Sequence, residues 1–186
     1  YIKGEILVLE FGRAEVLERL KRVDADAALE FDDGEQWRVV IVGGGALILL
    51  ECISRATHDV DVLNAPSILT DLMARYDMNT RVKTYINNFP YNYEDRLVPV
   101  DIQTEKLKYY TASLEDIVIA KLCSYRPQDE EDVTSPDVLK LIDWDLLDKL
   151  ANDESELRSA ALNDHSYNDF KITYNEYRRR YGPCGN

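Results

Sequence analysis

The stretch VIVGGGALILLECISRATHDVDVL, residues 40–63, decides the fold of this 186-residue chain. It predicts a buried strand, a glycine turn, a short helix and a second strand that carries Asp59 and Asp61. Because side chains alternate along a strand, both acids project from one face while Val60 and Val62 face the core. Two carboxylates about 4 Å apart repel by roughly 4 kcal/mol at an effective dielectric near 20. A fold keeps such a pair when a cation lies between them or when one holds a proton.

Three consecutive glycines, Gly43, Gly44 and Gly45, separate the predicted strand 37–42 from a predicted helix at 46–52. Free backbone N–H groups at a helix start can hold phosphate, so glycines beside two acids predict a site for a metal-bound nucleotide. The simpler interpretation is a tight turn. A dinucleotide fingerprint, GxGxxG, is the rival; its third glycine falls on Ile48, where close packing needs Gly or Ala. An acid does follow about 20 positions on, so a Rossmann-like oxidoreductase module stays an alternative.

A third strand, predicted over residues 97–103, offers another acid. Its apolar side chains alternate with polar ones, which places Asp101 on the polar face, and Pro99 indicates an edge strand or a strand start. Three carboxylates on neighbouring strands are what two divalent ions need for in-line displacement at phosphorus. We therefore predict one site formed by Asp59, Asp61 and Asp101. Glu94 and Asp95 are the alternatives to Asp101.

The remaining pattern predicts an α/β (α+β) fold. Apolar residues at helical spacing predict a helix over 13–29, and a fourth strand is expected over 108–111. From Ser113, which opens a capping-box pattern, the chain reads as helical. We predict a short mixed β-sheet with flanking helices in residues 1–112, and a C-terminal helical region, 113–186, packed on it. Further helices are expected over 67–76, from 113 through 123, from 135, and over 143–150 and 167–181.

Composition limits the partners. The formal net charge is −13, which repels nucleic acid at long range and argues against nonspecific binding of duplex DNA. Three scattered cysteines without CxxC spacing and two histidines predict no zinc site and suit a reducing, cytoplasmic location. No apolar run approaches the roughly 20 residues of a membrane span, so we expect no membrane partner.

The spacing of these residues resembles the nucleotidyltransferase superfamily to which polymerase beta belongs. Gly44 and Gly45 are followed by 13 residues and then by Asp59-Val60-Asp61-Val62, with a later strand acid at Asp101. The fuller pattern, Gly-Gly-x-Ala-Leu and then Arg55-x-Thr57-x-Asp59, resembles the AbiEii-like bacterial nucleotidyltransferases, which include toxins of toxin–antitoxin pairs. Downstream residues are similar to the Lys and Asp motifs of that group: Leu114-Glu115-Asp116-Ile117, Lys121, Arg126-Pro127, Asp129 and Asp132.

The resemblance implies metal-ion chemistry. Asp59 and Asp61 would hold Mg²⁺ (or Mn²⁺), and Asp101 would bridge the catalytic ion and act as base toward an acceptor hydroxyl. Gly44 and Gly45 would line the triphosphate. Many superfamily members carry serine after the first motif glycine, and here Gly45 offers only its backbone N–H.

Three further residues have a phosphate interpretation and a structural one. Arg55 and Thr57 precede the acids, where a guanidinium or a hydroxyl can meet phosphate oxygens; otherwise Arg55 pairs with an acid and Thr57 caps a turn. Lys121 lies in an apolar stretch, where lysine usually extends its ammonium to solvent, and the resemblance implies a phosphate role. Arg126, Asp129 and Asp132 could orient Lys121 or the acceptor, although a solvated turn is the expected setting of the two acids.

The expected activity is transfer of an NMP from an NTP to an acceptor hydroxyl with displacement of pyrophosphate. In-line attack at the α-phosphorus needs charge neutralisation and alignment, which acids and glycines supply. An RNA end, a protein hydroxyl and a small molecule all remain open as acceptors, and an antitoxin-like protein is a further candidate partner. A catalytically retired domain that acts as an interaction partner is the second alternative.

Overall fold

Five short strands form one mixed sheet in the computed structural model, which describes residues 12–31, 34–57, 59–82, 88–124, 126–153, 157 and 164–183. The order across the sheet is β3-β2-β1-β5-β4. The strands in chain order are β1 Trp37–Val42, β2 Val60–Leu63, β3 Met78–Asn79, β4 Val98–Pro99 and β5 Leu107–Thr111.

The connection through the glycine turn reverses direction. β2 runs antiparallel to β1, with Val42 opposite Asp61, whereas β5 runs parallel to β1, with Ile41 opposite Thr111. A dinucleotide-binding unit requires the strand after the first helix to be parallel to the strand before it. The antiparallel return of β2 therefore excludes the Rossmann-like alternative.

Helices cover the sheet and continue beyond it. They are α1 Arg13–Glu30, α2 Gly43–Leu49, α3 Thr70–Ala74, α4 Leu114–Ser124, α5 Pro127–Val133, α6 Pro136–Leu141, α7 Trp144–Asn152 and α8 Asp164–Tyr181, with short 3₁₀ turns at Ser67–Leu69 and Tyr93–Arg96. In the described part of the chain, none of these helices is long and apolar enough to cross a membrane.

One apolar core joins the sheet to the helices. The buried stripe of α1 includes Val16, Leu20 and Val23, spaced to face one side of the helix, and the Tyr109 hydroxyl of β5 donates to the Leu20 carbonyl oxygen at 2.9 Å. α4 is buried from Leu114 to Leu122, and the same buried cluster extends into α7 and α8. A continuous core does not mark a boundary between residues 1–112 and 113–186, so that predicted division stays a prediction.

The predicted α/β class is confirmed, with local differences in the elements. α2 begins at Gly43 instead of residue 46, and the helix expected at 67–76 divides into a 3₁₀ turn and α3. The strand expected over 97–103 is reduced to Val98–Pro99. The Val100 N–H still donates to the Tyr109 carbonyl oxygen at 3.0 Å, but the Ile102 N–H donates to the Val100 carbonyl oxygen at 2.9 Å, so the chain turns away from β5 there. β3 was not predicted, since two residues are too few to show alternation.

Candidate functional site

Asp59 and Asp61 lie at the start of β2. Asp61 is a half-buried residue of β2, and Asp59 is exposed just before the strand. Burial raises the pKa of Asp61, and the negative charge of Asp59 raises it further. A hydrogen bond from Asn79 and the charges of Arg126 and Lys121 act in the opposite direction. The two acids, here called the acid pair, therefore repel each other in a partly desolvated place that would attract a cation.

The glycine turn lies directly against this pair. Gly43 has a positive φ of 64°, and a Cβ placed on it would lie 2.8 Å from Oδ2 of Asp61. Only glycine combines this backbone conformation with so close an approach. On Gly44, a Cβ would lie 3.3 Å from Nη2 of Arg55 and 3.5 Å from Oγ1 of Thr57. The turn is therefore bounded by a carboxylate on one side and a guanidinium on the other.

The α-carbon of Gly45 faces the core and not the acid pair. A Cβ placed on it would point at the side chains of Val60 and Ile41 in the core, at 3.5 and 3.6 Å. The side of Gly45 that would carry a side chain therefore faces the apolar interior, where it allows α2 to approach the sheet. Gly43, which the sequence prediction of site residues omitted, is the glycine beside the carboxylate. The signal that could have identified Gly43 from the sequence is its position directly after the predicted strand 37–42.

Lys121 is buried among acids and does not extend to solvent. Only 5 % of its side chain is exposed, and its Nζ lies 2.6 Å from Oδ1 of Asp129 and 2.8 Å from Oδ2 of Asp132. Both carboxylates are buried in α5, so the expectation of a solvated turn at these positions is wrong. The reason is that α5 packs against α4 through its acidic face, which the sequence pattern alone does not show.

Two arginines complete this arrangement. Nε and Nη2 of Arg55 each lie 2.7 Å from a separate oxygen of Asp132, and Nε of Arg126 lies 2.7 Å from Oδ2 of Asp129. We call the five residues the buried ion network: Arg55, Lys121, Arg126, Asp129 and Asp132. Its three cations and two carboxylates leave one positive charge, which lies next to the negative acid pair.

The electrostatics of the network keep both acids ionised. Burial alone would raise the pKa of Asp129, but hydrogen bonds from Arg126, Lys121 and Ser124 outweigh it and hold the pKa below its usual range. The pKa of Asp132 is likewise lowered, since the hydrogen bond from Arg55 and the charge of Lys121 exceed the effect of burial. These carboxylates therefore hold the cations in fixed places.

Arg55 and Thr57 connect the network to the acid pair. Arg55 keeps 36 % of its side chain exposed while it pairs with Asp132, and the same guanidinium lies against Gly44. The hydroxyl of Thr57 donates to the Asp59 carbonyl oxygen at 3.0 Å, which fixes the turn before β2. Both residues thus have the structural roles considered from the sequence and also border the glycine turn.

Asp101 is not brought to this site. It follows the edge strand β4, which β1 and β5 separate from β2, and it is exposed. Three strand spacings of about 4.8 Å separate β4 from β2, so Asp101 is about 14 Å or more from the acid pair. The prediction that Asp101 completes a three-acid site is therefore corrected. The alternatives do not replace it: Glu94 pairs with Arg38 and Asp95 is exposed.

The donor set fits a single divalent ion. Among the described residues, no group of three or more Asp, Glu, His or Cys side chains could hold a metal. Mg²⁺ is often held by only one or two carboxylates and completes its octahedron with substrate phosphates and water. Asp59 and Asp61 meet that requirement, and they are the residues that would hold Mg²⁺ or Mn²⁺.

Comparison with known proteins gives one match. No curated protein and no solved structure matches the chain. A family model described as a nucleotidyltransferase of unknown function (DUF6036) matches residues 18–182, which include the glycine turn, the acid pair and the buried ion network. The match covers most of the chain and agrees with the α/β fold found above. The chain therefore belongs to this family of nucleotidyltransferases.

Proposed function

We propose that the protein transfers an NMP from an NTP to an acceptor hydroxyl, with one divalent ion held by Asp59 and Asp61. The observation that carries this proposal is the position of Gly44 and Gly43. On one side the turn meets the acid pair, and on the other it meets the guanidinium of Arg55. A triphosphate with its metal ion needs a cation on one flank, carboxylates on the other and no side chains between them.

Each residue has a distinct task in this proposal. The bound ion would neutralise triphosphate charge and polarise the phosphorus that is attacked. Gly43 and Gly44 leave space for the phosphates to approach the backbone. Arg55, which is partly exposed, can contact phosphate oxygens, while Lys121 is too deeply buried to do so and instead holds the carboxylate that orients Arg55. Arg126, with 57 % of its side chain exposed, is the second cation available to phosphate.

The acceptor is proposed only as a hydroxyl group, on an RNA end, a protein or a small molecule. The net charge of −13 disfavours a long nucleic-acid contact, so an RNA acceptor would present its end only. A role as the toxin of a toxin–antitoxin pair, with an AbiEii-like activity, is part of the same proposal and rests on the sequence resemblance.

The test is transfer of label from α-³²P-labelled NTPs to cell lysate with Mg²⁺ or Mn²⁺, followed by separation of RNA, protein and small molecules. We expect the double substitution Asp59→Asn with Asp61→Asn to abolish labelling. Asp101→Asn is the matched control, because the same chemical change at an exposed, distant acid should leave labelling unchanged. Labelling that survives the double substitution would reject the proposal.

A catalytically retired domain is the second candidate, and one observation favours it. The described residues supply two carboxylates at the site, where two-ion chemistry needs a third. On this candidate the folded protein shows no Mg²⁺-dependent NTP binding and forms a stable complex with a protein encoded nearby. The full chain is purified with its partner, and NTP turnover is measured. Turnover would exclude a catalytically inactive domain and so separates the two candidates.

A further inference from the structure

Asn79 is the polar neighbour of Asp61 in the sheet. β2 and β3 pair in parallel with Asp61 in register with Asn79, and on its other side β1 places Val42 opposite Asp61. Positions in register on adjacent strands share a face, so Asn79 and Val42 flank Asp61 on the face of the acid pair. Of these two flanking positions, only Asn79 can form a side-chain hydrogen bond.

The Asn79 amide has one consistent orientation. Its Oδ1 accepts the backbone N–H of Arg81 at 3.1 Å, and its Nδ2 donates to Oδ1 of Asp61 at 2.9 Å. A rotated amide would place its NH₂ against the Arg81 N–H, which are two donors facing each other. Asn79 is therefore fixed by the backbone as a donor toward the carboxylate.

This contact holds one half of the acid pair more firmly than the other. Oδ1 of Asp61 is bound by Asn79, and Oδ2 lies beside Gly43, where no side chain intervenes. Asp59 is exposed, and no hydrogen bond from the described residues reaches its carboxylate. Asp61 thus has a fixed place, whereas Asp59 is free to adjust when an ion binds.

We infer that Asn79 is a positioning residue for the metal site, because its amide fixes the direction of the Asp61 carboxylate. The inference rests on the proposed function, because positioning matters only if Asp61 holds an ion. Partners that hydrogen-bond a metal ligand fix its direction, and their loss typically weakens metal affinity by about 10- to 100-fold.

The test is direct Mn²⁺ binding to the purified chain, measured by electron paramagnetic resonance titration without substrate. We expect Asn79→Ala to weaken Mn²⁺ binding about tenfold. Asn79→Leu should have the same effect; it keeps the volume of the side chain and guards against a variant that fails to fold. Asn152→Ala, an exposed asparagine of α7, is the matched control and should bind Mn²⁺ like the wild type. With NTP, we expect kcat to fall in both Asn79 variants, and KM at saturating Mn²⁺ to stay near the wild-type value.

The outcomes separate this inference from the proposed function. Wild-type Mn²⁺ affinity in folded Asn79→Ala and Asn79→Leu overturns the inference and leaves the proposed function standing. A lower melting temperature with unchanged affinity also overturns the inference, because it shows a purely structural role for Asn79. Failure of the wild-type chain to bind Mn²⁺ both without and with NTP overturns both.

Discussion

Removal of the cation at the centre of the buried ion network tests whether the network holds the C-terminal helices in place. Lys121→Met keeps the length and apolar stem of the side chain and deletes its charge. Lys121 is 5 % exposed and its two partners 2 % and 1 %, so the loss leaves two buried carboxylates without their shared cation. Removal of one partner from a buried ion pair costs roughly 3–5 kcal/mol. Arg55 and Arg126 remain paired with the same acids, so we expect about 3 kcal/mol, at the lower end.

Urea unfolding followed by circular dichroism measures this loss. With an m-value of about 2 kcal/mol/M, a destabilisation of about 3 kcal/mol lowers the midpoint by about 1.5 M. Lys140→Met, on the exposed side of α6, is the matched control, and we expect it to change the free energy of unfolding by no more than about 0.5 kcal/mol. A Lys121→Met midpoint within about 0.5 M of wild type would refute the reasoning, since it would show that the arginines alone compensate the acids.

Three more outcomes follow from the geometry. Asp129 and Asp132 have folded-state pKa values below their usual range, because cations donate to both and the Ser124 hydroxyl donates to Asp129. Their stabilisation is therefore present above about pH 4 and is lost as pH falls through the lowered values, and urea midpoints from about pH 7 to about pH 3 should show this fall. Gly43→Ala should lower both the stability and the Mn²⁺ affinity, since its Cβ would meet Asp61. Gly34→Ala is the control: its φ is a similar 71°, but nothing lies within 4 Å, so it should lower stability alone. Equal Mn²⁺ affinities of the two variants would contradict the contact between Gly43 and Asp61. The hydroxyl of Thr111 is buried without a hydrogen-bond partner among the described residues, so Thr111→Val should leave the melting temperature unchanged or raise it, and a clear fall would reveal a missing partner.

Much of the site was predictable because it is local in sequence. The alternation of residues 59–62 sets which side chains share a face, and the three glycines form the first turn of α2. The proximity of Asp59 to Asp61 therefore follows from the sequence, whereas the glycine that contacts Asp61 is Gly43 and not the predicted Gly44. The capping role of Ser113 was also local: its hydroxyl accepts the Asp116 N–H at 3.1 Å, as the pattern indicated.

Other parts depend on which strand lies beside which. Asp101 follows the two-residue strand β4, which pairs with β5 at the edge of the sheet and not with β2. Strand order is set by long-range pairing, which alternation cannot specify. Asn79 was not predicted as a site residue for the same reason: its position beside Asp61 arises from the long-range pairing of β3 with β2.

The sequence by itself determined that Asp59 and Asp61 lie close together, since only one residue separates them, and that glycines follow the first strand. The pairing of β1 with β2, which sets Val42 opposite Asp61, brings Gly43 to the carboxylate. Only the tertiary structure decided that Asp129 and Asp132 are buried around Lys121, that Arg55 lies over Gly44, and that Asp101 stays outside. The physical reason is that burial and strand neighbourhood are properties of packing between distant segments. An acidic run such as QDEED has the same composition in water and in a network of cations, and only its contacts distinguish the two.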